Sequence, residues 1–434
     1  MKKVGLLNFG CSKNLIDSEL MLGLLAENGY KITLDENEAD IIIINTCAFI
    51  NDAEKESVDA ILETAQTGKK IIVTGCLSQK YKKELKKEIP EISAMLGTGD
   101  YSKIVETIKK LDKEKFVYNI CENPSYVYDE NIKRQQITVG SSSYIKIADG
   151  CNCECGYCII PKLRGKYKSR PIENIVEEAK TLTEKGVNEI ILIAQDTTTY
   201  GIDLYGKPSL PKLLKKLEKI ENLSWIRIMY AYPTSFNDEL IETMKNSKKI
   251  VKYIDIPLQH SHPEVLKRMK RPVMDYEKLI KKLREQIPEI AIRTTFIVGY
   301  PQETEEEFEH LYNFIKKIKF DRLGVFEFSK EKDTYAYSLS GQISSRIKKS
   351  RKNKIMKLQN KISKELNKKM FGKTIPCIVE AITNDDVTIL RSQKDAPEID
   401  CLVYAKSEDS PVPGEIVNVK ITDFDDYDLF GEIV

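Results

Sequence analysis

Ten cysteines and only three histidines (His260, His262 and His310) frame the chemistry open to this chain of 434 residues. The densest set lies in Gly150-Cys151-Asn152-Cys153-Glu154-Cys155-Gly156-Tyr157-Cys158, which contains Cys-x3-Cys-x2-Cys. Three thiolates so close on one loop suit a cubane iron–sulfur cluster. Three local ligands leave a fourth iron open. An open iron can chelate the amino and carboxylate groups of S-adenosylmethionine, and an electron passed through it cleaves the sulfonium to make a carbon radical. A zinc site or a closed structural cluster would use the same residue type. The strand before the loop, Tyr157 ahead of the last cysteine and the βα series that follows favour the radical chemistry. Cys153 and Cys155, one residue apart, would struggle to reach different irons. Cys151, Cys155 and Cys158 are therefore the expected ligands, with Cys153 a spare thiol.

A second triad is dispersed. Asn8-Phe9-Gly10-Cys11, Asn45-Thr46-Cys47 and Thr74-Gly75-Cys76 each follow an apolar strand pattern. In an open parallel sheet the carboxyl ends of all strands face one crevice, where ligands bind. Free cysteines are often merely buried, but three at equivalent strand ends favour a second cluster on Cys11, Cys47 and Cys76. Cys121, Cys377 and Cys401 follow no such logic and read as structural.

The elements that must position these thiols follow from the hydrophobic pattern. Residues 1–115 read as a small parallel α/β domain with three strands, at Lys3 to Asn8, Ala39 to Asn45 and Lys70 to Thr74. Their β-branched runs mark strands buried on both faces. Residues 116–140 read as a linker. From 141 to 370 six strand patterns alternate with helical ones, which fits a partial (βα)6 barrel with active residues at the carboxyl ends of its strands. Residues 371–434 show short alternating strands and turn signals such as Asn384-Asp385-Asp386, the pattern of a small antiparallel β-barrel. The fold class is α/β with a β-barrel appended.

Composition narrows the function. So few histidines make histidine acid–base catalysis a poor expectation. No apolar run approaches the ~20 residues of a membrane span, and Met1-Lys2-Lys3-Val4 leads straight into a strand without a signal-peptide core; a cytoplasmic protein is expected. The net charge of +2 hides an asymmetry. Phe371 to Val434 carries 14 acids and 5 bases, net −9, while the preceding residues carry +11. A tail of that sign repels RNA phosphates and attracts a basic protein.

These residues resemble the radical-SAM methylthiotransferase family over essentially the whole chain. The likeness rests on Gly10-Cys11-Ser12-Lys13-Asn14 with Asp17-Ser18-Glu19, on Arg164-Gly165-Lys166-Tyr167-Lys168-Ser169-Arg170-Pro171, on Ala396-Pro397-Glu398-Ile399-Asp400 and on Asp426-Tyr427-Asp428-Leu429-Phe430-Gly431-Glu432. Ser12, where proline is common, and Cys153 depart from the family pattern. The resemblance implies an N-terminal methylthiotransferase domain, a radical-SAM core and a C-terminal TRAM domain. It implies two [4Fe-4S] clusters and S-adenosyl-L-methionine as cofactors, the Cys151/Cys155/Cys158 cluster generating the radical and the Cys11/Cys47/Cys76 cluster carrying sulfur. The nearest branch modifies an aspartate of ribosomal protein S12, whose β-carbon has no acidic C–H and so needs a radical; an electron donor and a sulfur donor are implied partners. The branch that modifies tRNA adenosine is the alternative, which the acidic tail opposes. A non-enzymatic iron–sulfur electron-transfer or sensor protein is a second alternative, but would not need six βα units. Tyr157, Gln195 and Gly299 are expected to contact the cofactor, with ordinary packing at the barrel mouth as the competing reading. Arg164 and Arg170 read as ion-pair residues, His260 and His262 have no assigned role, and Lys348 to Lys369 reads as a solvated helix face that could help docking on the ribosome.

Overall fold

The computed structural model describes residues 2–48, 51–125, 133–137, 140–383, 385, 387–406 and 411–434. The chain forms two compact units. The first comprises Met1–Val139, Ala148–Cys153 and Ile159–Lys168, and the second comprises Gly140–Ile147, Glu154–Cys158 and Ser169–Val434.

In the first unit β1 (Lys3–Asn8), β2 (Lys31–Ile32), β3 (Ile41–Thr46), β4 (Lys70–Gly75), β5 (Ile92–Leu96) and β6 (Val117–Asn119) build one parallel sheet in the order β2-β1-β3-β4-β5-β6. Six strands stand where the pattern indicated three. The additions are short or carry few β-branched residues, so their periodicity is weak. Val117–Asn119, inside the expected linker, is the sixth strand; 126–132 and 138–139 of that stretch lie outside the described residues. All six residues of β3 are buried, as its unbroken isoleucine run requires. The helix Ser12–Glu27 ends at Asn28, and Gly29 follows at φ 80°, the left-handed conformation that closes helices.

The second unit begins with the strand β7 (Ser142–Lys146). The two-residue strands β8 (Ala148–Asp149, in the first unit) and β9 (Lys168–Ser169) lie on either side of the cysteine loop in the chain. Then come β10 (Glu189–Ile193), β11 (Trp225–Ile228), β12 (Ile250–Asp255), β13 (Ala291–Val298) and β14 (Arg322–Glu327). With β7 these five form an open, wholly parallel six-stranded sheet in the order β14-β13-β12-β11-β10-β7, the partial barrel expected. Several of its helices start on a side-chain cap. Thr304 and Glu307 make a reciprocal capping box at Glu305–Ile318, satisfying two orphan amides.

The C-terminal strands β15 (Thr374–Ile382), β16 (Val387–Ser392), β17 (Val403–Lys406), β18 (Ile416–Phe424) and β19 (Leu429–Ile433) close a barrel around Cys377, Val379, Leu390, Val403, Val419 and Ile421. Four of its five pairings are antiparallel, the small barrel expected, and β17–β19 is parallel. Two residues of the turn signal, Asn384 and Asp386, lie outside the described residues.

This barrel and the parallel sheet belong to one unit, joined by buried charges. Glu189 accepts from Arg227 Nε at 2.7 Å and from Arg391, and all three side chains are buried. Arg322 pairs with Asp395, and Arg293 with Asp400, at 2.7 and 3.2 Å. Tyr253 donates its hydroxyl to Asp400 at 2.7 Å. Among the described residues no helix is long and apolar enough to cross a membrane.

Candidate functional site

The N-terminal thiols sit where strand register puts them. Asn8 is level with Asn45 across β1 and β3, and Asn45 with Thr74 across β3 and β4. Cys47 follows β3 directly, Cys76 follows β4 directly, and Cys11 caps the helix that leaves β1. Neighbouring strands in one register thus deliver all three cysteines to the same sheet edge. Cys11 is exposed, Cys47 and Cys76 are buried.

The edge is built tightly. Gly10 has φ 119°, and a Cβ there would stand 3.1 Å from Cys47 Cβ. Gly75 has φ 92°, and a Cβ there would come within 2.4 Å of Asn45 Oδ1. Both turns need glycine for conformation and for room. Asn14 donates to the Thr46 carbonyl at 2.9 Å, and Asn45 donates to the Asn14 carbonyl and the Ser18 hydroxyl at 2.8 Å each. This amide network ties the first helix to the end of β3, just before Cys47.

Electrostatics at this edge favour bound positive charge. Burial pushes the Cys76 thiol up to about 12; the Arg164 guanidinium opposes this, while Cys11 and Cys47 raise it further. Three thiols whose thiolate forms would repel one another are the arrangement that a cationic cluster core stabilises, because metal binding deprotonates them. Among the described residues no three His, Cys, Asp or Glu side chains are arranged to hold one metal ion. Three cysteine thiols on one sheet edge are the donor type that a cubane iron–sulfur cluster takes.

The Arg164 guanidinium, buried, reaches Asp17 at 3.2 Å, Asp149 at 2.8 Å and Asn14 Oδ1. Its ion-pair role is as expected; its place beside Cys76 was not legible. Arg170 is equally structural, bonded to the Lys146 carbonyl at 2.9 Å and paired with Glu178 at 2.6 Å.

In the cysteine loop, Cys151 belongs to the first unit, where its Sγ accepts the Cys153 amide at 3.3 Å. Such N–H donors to sulfur tune iron–sulfur clusters. Cys155 and Cys158 belong to the second unit, joined by a turn in which the Cys158 amide donates to the Cys155 carbonyl at 3.0 Å. Gly156 anchors that turn. Its amide donates to the Met269 carbonyl at 2.8 Å and its carbonyl accepts from Ala336 at 2.7 Å.

Sequence reasoning missed Arg271. Its Nη1 lies 3.9 Å from Cys155 Sγ, its Nη2 donates to the Pro257 carbonyl at 2.7 Å, and its guanidinium stacks 4.3 Å over the Tyr232 ring. Burial opposes its charge, but Tyr157 and Cys155 hold it firmly protonated. No spacing rule could have found it, since it stands 116 positions from the cysteine it faces.

The three expected cofactor residues are placed as follows. Tyr157, partly buried, packs against the cluster of Val265, Met269, Tyr300, Phe328 and Ala336. Gln195 lies two positions beyond β10 and Gly299 directly beyond β13. Gly299 has φ 73°, and a Cβ there would meet Lys348 Cγ at 2.3 Å; backbone shape and this lysine stem account for the glycine. His260 is buried with Nε2 3.7 Å from Glu303, and His262 caps the helix Pro263–Arg268.

Three family models match the chain: Uncharacterized protein family UPF0004 over residues 3–97, Radical SAM superfamily over 145–315 and TRAM domain over 371–434. The fold is similar to that of the radical S-adenosylmethionine methyltransferase TsrM from Kitasatospora setae, with a TM-score of 0.57 and 12% identity over 90% of this chain and 81% of that one. OxsB, a cobalamin-dependent S-adenosylmethionine radical enzyme, gives a TM-score of 0.51 at 14% identity, covering 82% of this chain and 56% of that one. Curated relatives named ribosomal protein uS12 methylthiotransferase RimO are 50% identical in Thermoanaerobacter sp. and 52% in Caldanaerobacter subterraneus, each over 100% of both chains. The relative of that name in Clostridioides difficile is 47% identical over 100% of this chain and 99% of its own. The chain therefore belongs to the RimO family, transferases of the radical SAM superfamily.

Proposed function

We propose that this chain methylthiolates the β-carbon of an aspartate in ribosomal protein S12, in the cytoplasm, using two [4Fe-4S] clusters and S-adenosyl-L-methionine. The observation that carries the two-cluster reading is the delivery of Cys11, Cys47 and Cys76 to one edge by three strands in register. These thiols would hold one cluster, and Cys151, Cys155 and Cys158 the other. The bound groups supply hydrogen-atom abstraction from an unactivated carbon and sulfur transfer to it. The chain's own residues do the positioning. Asn14, Asn45 and Arg164 hold the first thiol set, and Arg271 orients Cys155. Tyr157, Gln195 and Gly299 line the cofactor site. Functionally the chain divides into a methylthiotransferase domain at 1–119, extended past the expected boundary at 115 by the strand Val117–Asn119, a connecting segment up to 140, a radical core at 141–370 and a TRAM domain at 371–434.

Charge supports the protein substrate over tRNA. The C-terminal barrel carries 14 acids and 5 bases. Asp395, Asp400 and Asp426 are paired with Arg322, Arg293 and Lys364, bases that precede it in the chain. Glu398, Glu415, Asp423 and Glu432 remain exposed, a surface suited to a basic protein. The test is mass spectrometry of ribosomal proteins and tRNA from a strain lacking the gene. Loss of the methylthio group from S12 with tRNA unchanged is expected. Loss from tRNA adenosine with S12 unchanged would overturn the reading.

A further inference from the structure

The helix Ser345–Lys368 carries ten lysines and arginines against a single acid, Glu365. Its core-facing side is Arg351, Ile355, Leu358 and Ile362, all buried. Arg346, Lys357, Lys361, Lys364 and Lys368 occupy the opposite, exposed side. Lys364 pairs with Asp426 at 2.9 Å. Arg346, Lys357, Lys361 and Lys368 form no ion pair among the described residues. From Arg346 to Lys368 the stripe runs about 33 Å at 1.5 Å per residue.

A helix face shaped only for solvation mixes signs, because like charges four residues apart destabilise the helix. Lys357 with Lys361, and Lys364 with Lys368, are two such like-charged pairs. The helix thus maintains an arrangement that its own stability opposes and that a polyanion would relieve. It holds no aromatic residue, so it offers no ring on which bases could stack. A long cationic surface without aromatic rings matches a repeating phosphate backbone, whose contacts position a protein without specifying sequence. The helix nets +9 and the segment after it −9, so one chain presents opposite signs in neighbouring segments.

We propose that this stripe docks the chain on the phosphate backbone of structured RNA. The inference rests on the proposed substrate, since a ribosomal protein is presented within RNA. The acidic barrel would engage the protein, and the helix the RNA beside it.

The experiment uses the full-length, cluster-loaded protein and a fluorescein-labelled RNA duplex. Binding is titrated at several salt concentrations for the parent, for Arg346→Glu/Lys357→Glu/Lys361→Glu/Lys368→Glu, and for a control with four exposed lysines reversed elsewhere, Lys185→Glu/Lys216→Glu/Lys219→Glu/Lys248→Glu. The stripe variant should bind at least about tenfold more weakly, with the slope of log affinity against log salt reduced by about three to four. The control should keep the parental slope. Methylthiolation of isolated S12 should be unchanged in the stripe variant while that of intact small subunits falls. Equal losses in both variants, or no RNA binding by the parent, would overturn the proposal. If the glutamate variant melts early by circular dichroism, the same four positions changed to glutamine decide the matter by the same slope. A parent that modifies tRNA but not S12 would defeat the substrate reading, and the slope comparison would still stand or fall separately.

Discussion

Arg164 Nη1 stands 3.2 Å from Asp17 Oδ2, a bond between two buried side chains 147 positions apart in the sequence. The same guanidinium pairs with Asp149 and opposes the upward push of burial on Cys76. Two separate sequence motifs, one around Asp17 and one around Arg164, therefore meet beside the N-terminal thiols. Replacing Arg164 with Gln leaves Asp17 and Asp149 buried without their shared cation, which should cost about 3–5 kcal/mol. Denaturant unfolding of the metal-free chain measures this. Iron retained by the Cys11/Cys47/Cys76 set after reconstitution should fall in parallel.

The two thiol sets should load independently. Two cubane clusters would give about eight irons per chain. Changing Cys151, Cys155 and Cys158 to Ala should leave about half of that iron and abolish cleavage of S-adenosylmethionine. Anaerobic reconstitution, iron analysis and chromatography of 5′-deoxyadenosine check both. Persistent cleavage by the triple variant would show that the radical centre lies elsewhere.

Cys47→Ala should separate the two steps in the other direction. It should still release 5′-deoxyadenosine while yielding no methylthio product. Normal product from this variant would return Cys11, Cys47 and Cys76 to ordinary buried thiols.

Acid sensitivity should trace to Glu189. Burial pushes its carboxyl up, but Arg227, Arg391 and the Ser142 hydroxyl overcome this and hold it at about 2, below the ordinary 4.5. A depressed carboxyl stabilises the fold above the unfolded value and loses that contribution as pH falls from about 4.5 to about 2. The difference is worth about 3 kcal/mol. Glu189→Gln should therefore be less stable than the parent at neutral pH by that order, and the gap should close across this window. Denaturant midpoints measured from pH 7 down to pH 2 test it.

Association with S12 should weaken with salt, since exposed charges are screened over ~8 Å at physiological ionic strength. Reversing Asp423 and Glu432 to Lys should slow binding several-fold without affecting cofactor cleavage. Asp423 accepts the amide of the adjacent Phe424 at 2.8 Å, whereas its neighbours hold groups further along the chain. Asp425 accepts the Tyr427 and Asp428 amides, Asp426 pairs with Lys364, and Asp428 accepts the Leu402 amide at 2.8 Å. Salt-titrated kinetics with purified S12 measure the effect.

The sequence alone determined what depends on short-range pattern. Unbroken isoleucine runs marked the central strands of the first sheet, alternation of strand and helix marked the six-stranded partial barrel, and Cys-x3-Cys-x2-Cys marked its own chemistry. Strand ends in a parallel sheet share one edge, so even the dispersed Cys11, Cys47 and Cys76 could be grouped from the sequence. Strands β2, β5 and β6 escaped because short segments with few β-branched residues carry little periodicity. Only the tertiary structure could show that Arg164 stands beside Cys76, that Arg271 faces Cys155, and that Glu189, Arg227 and Arg391 share one buried site. It also showed that three acids of a net −9 segment are matched by bases from the preceding chain. Those pairings join residues about 40 to 200 positions apart. They are set by where sheets bring side chains out of water, because a buried charge is tolerated only with a partner, and no local spacing encodes which partner that will be.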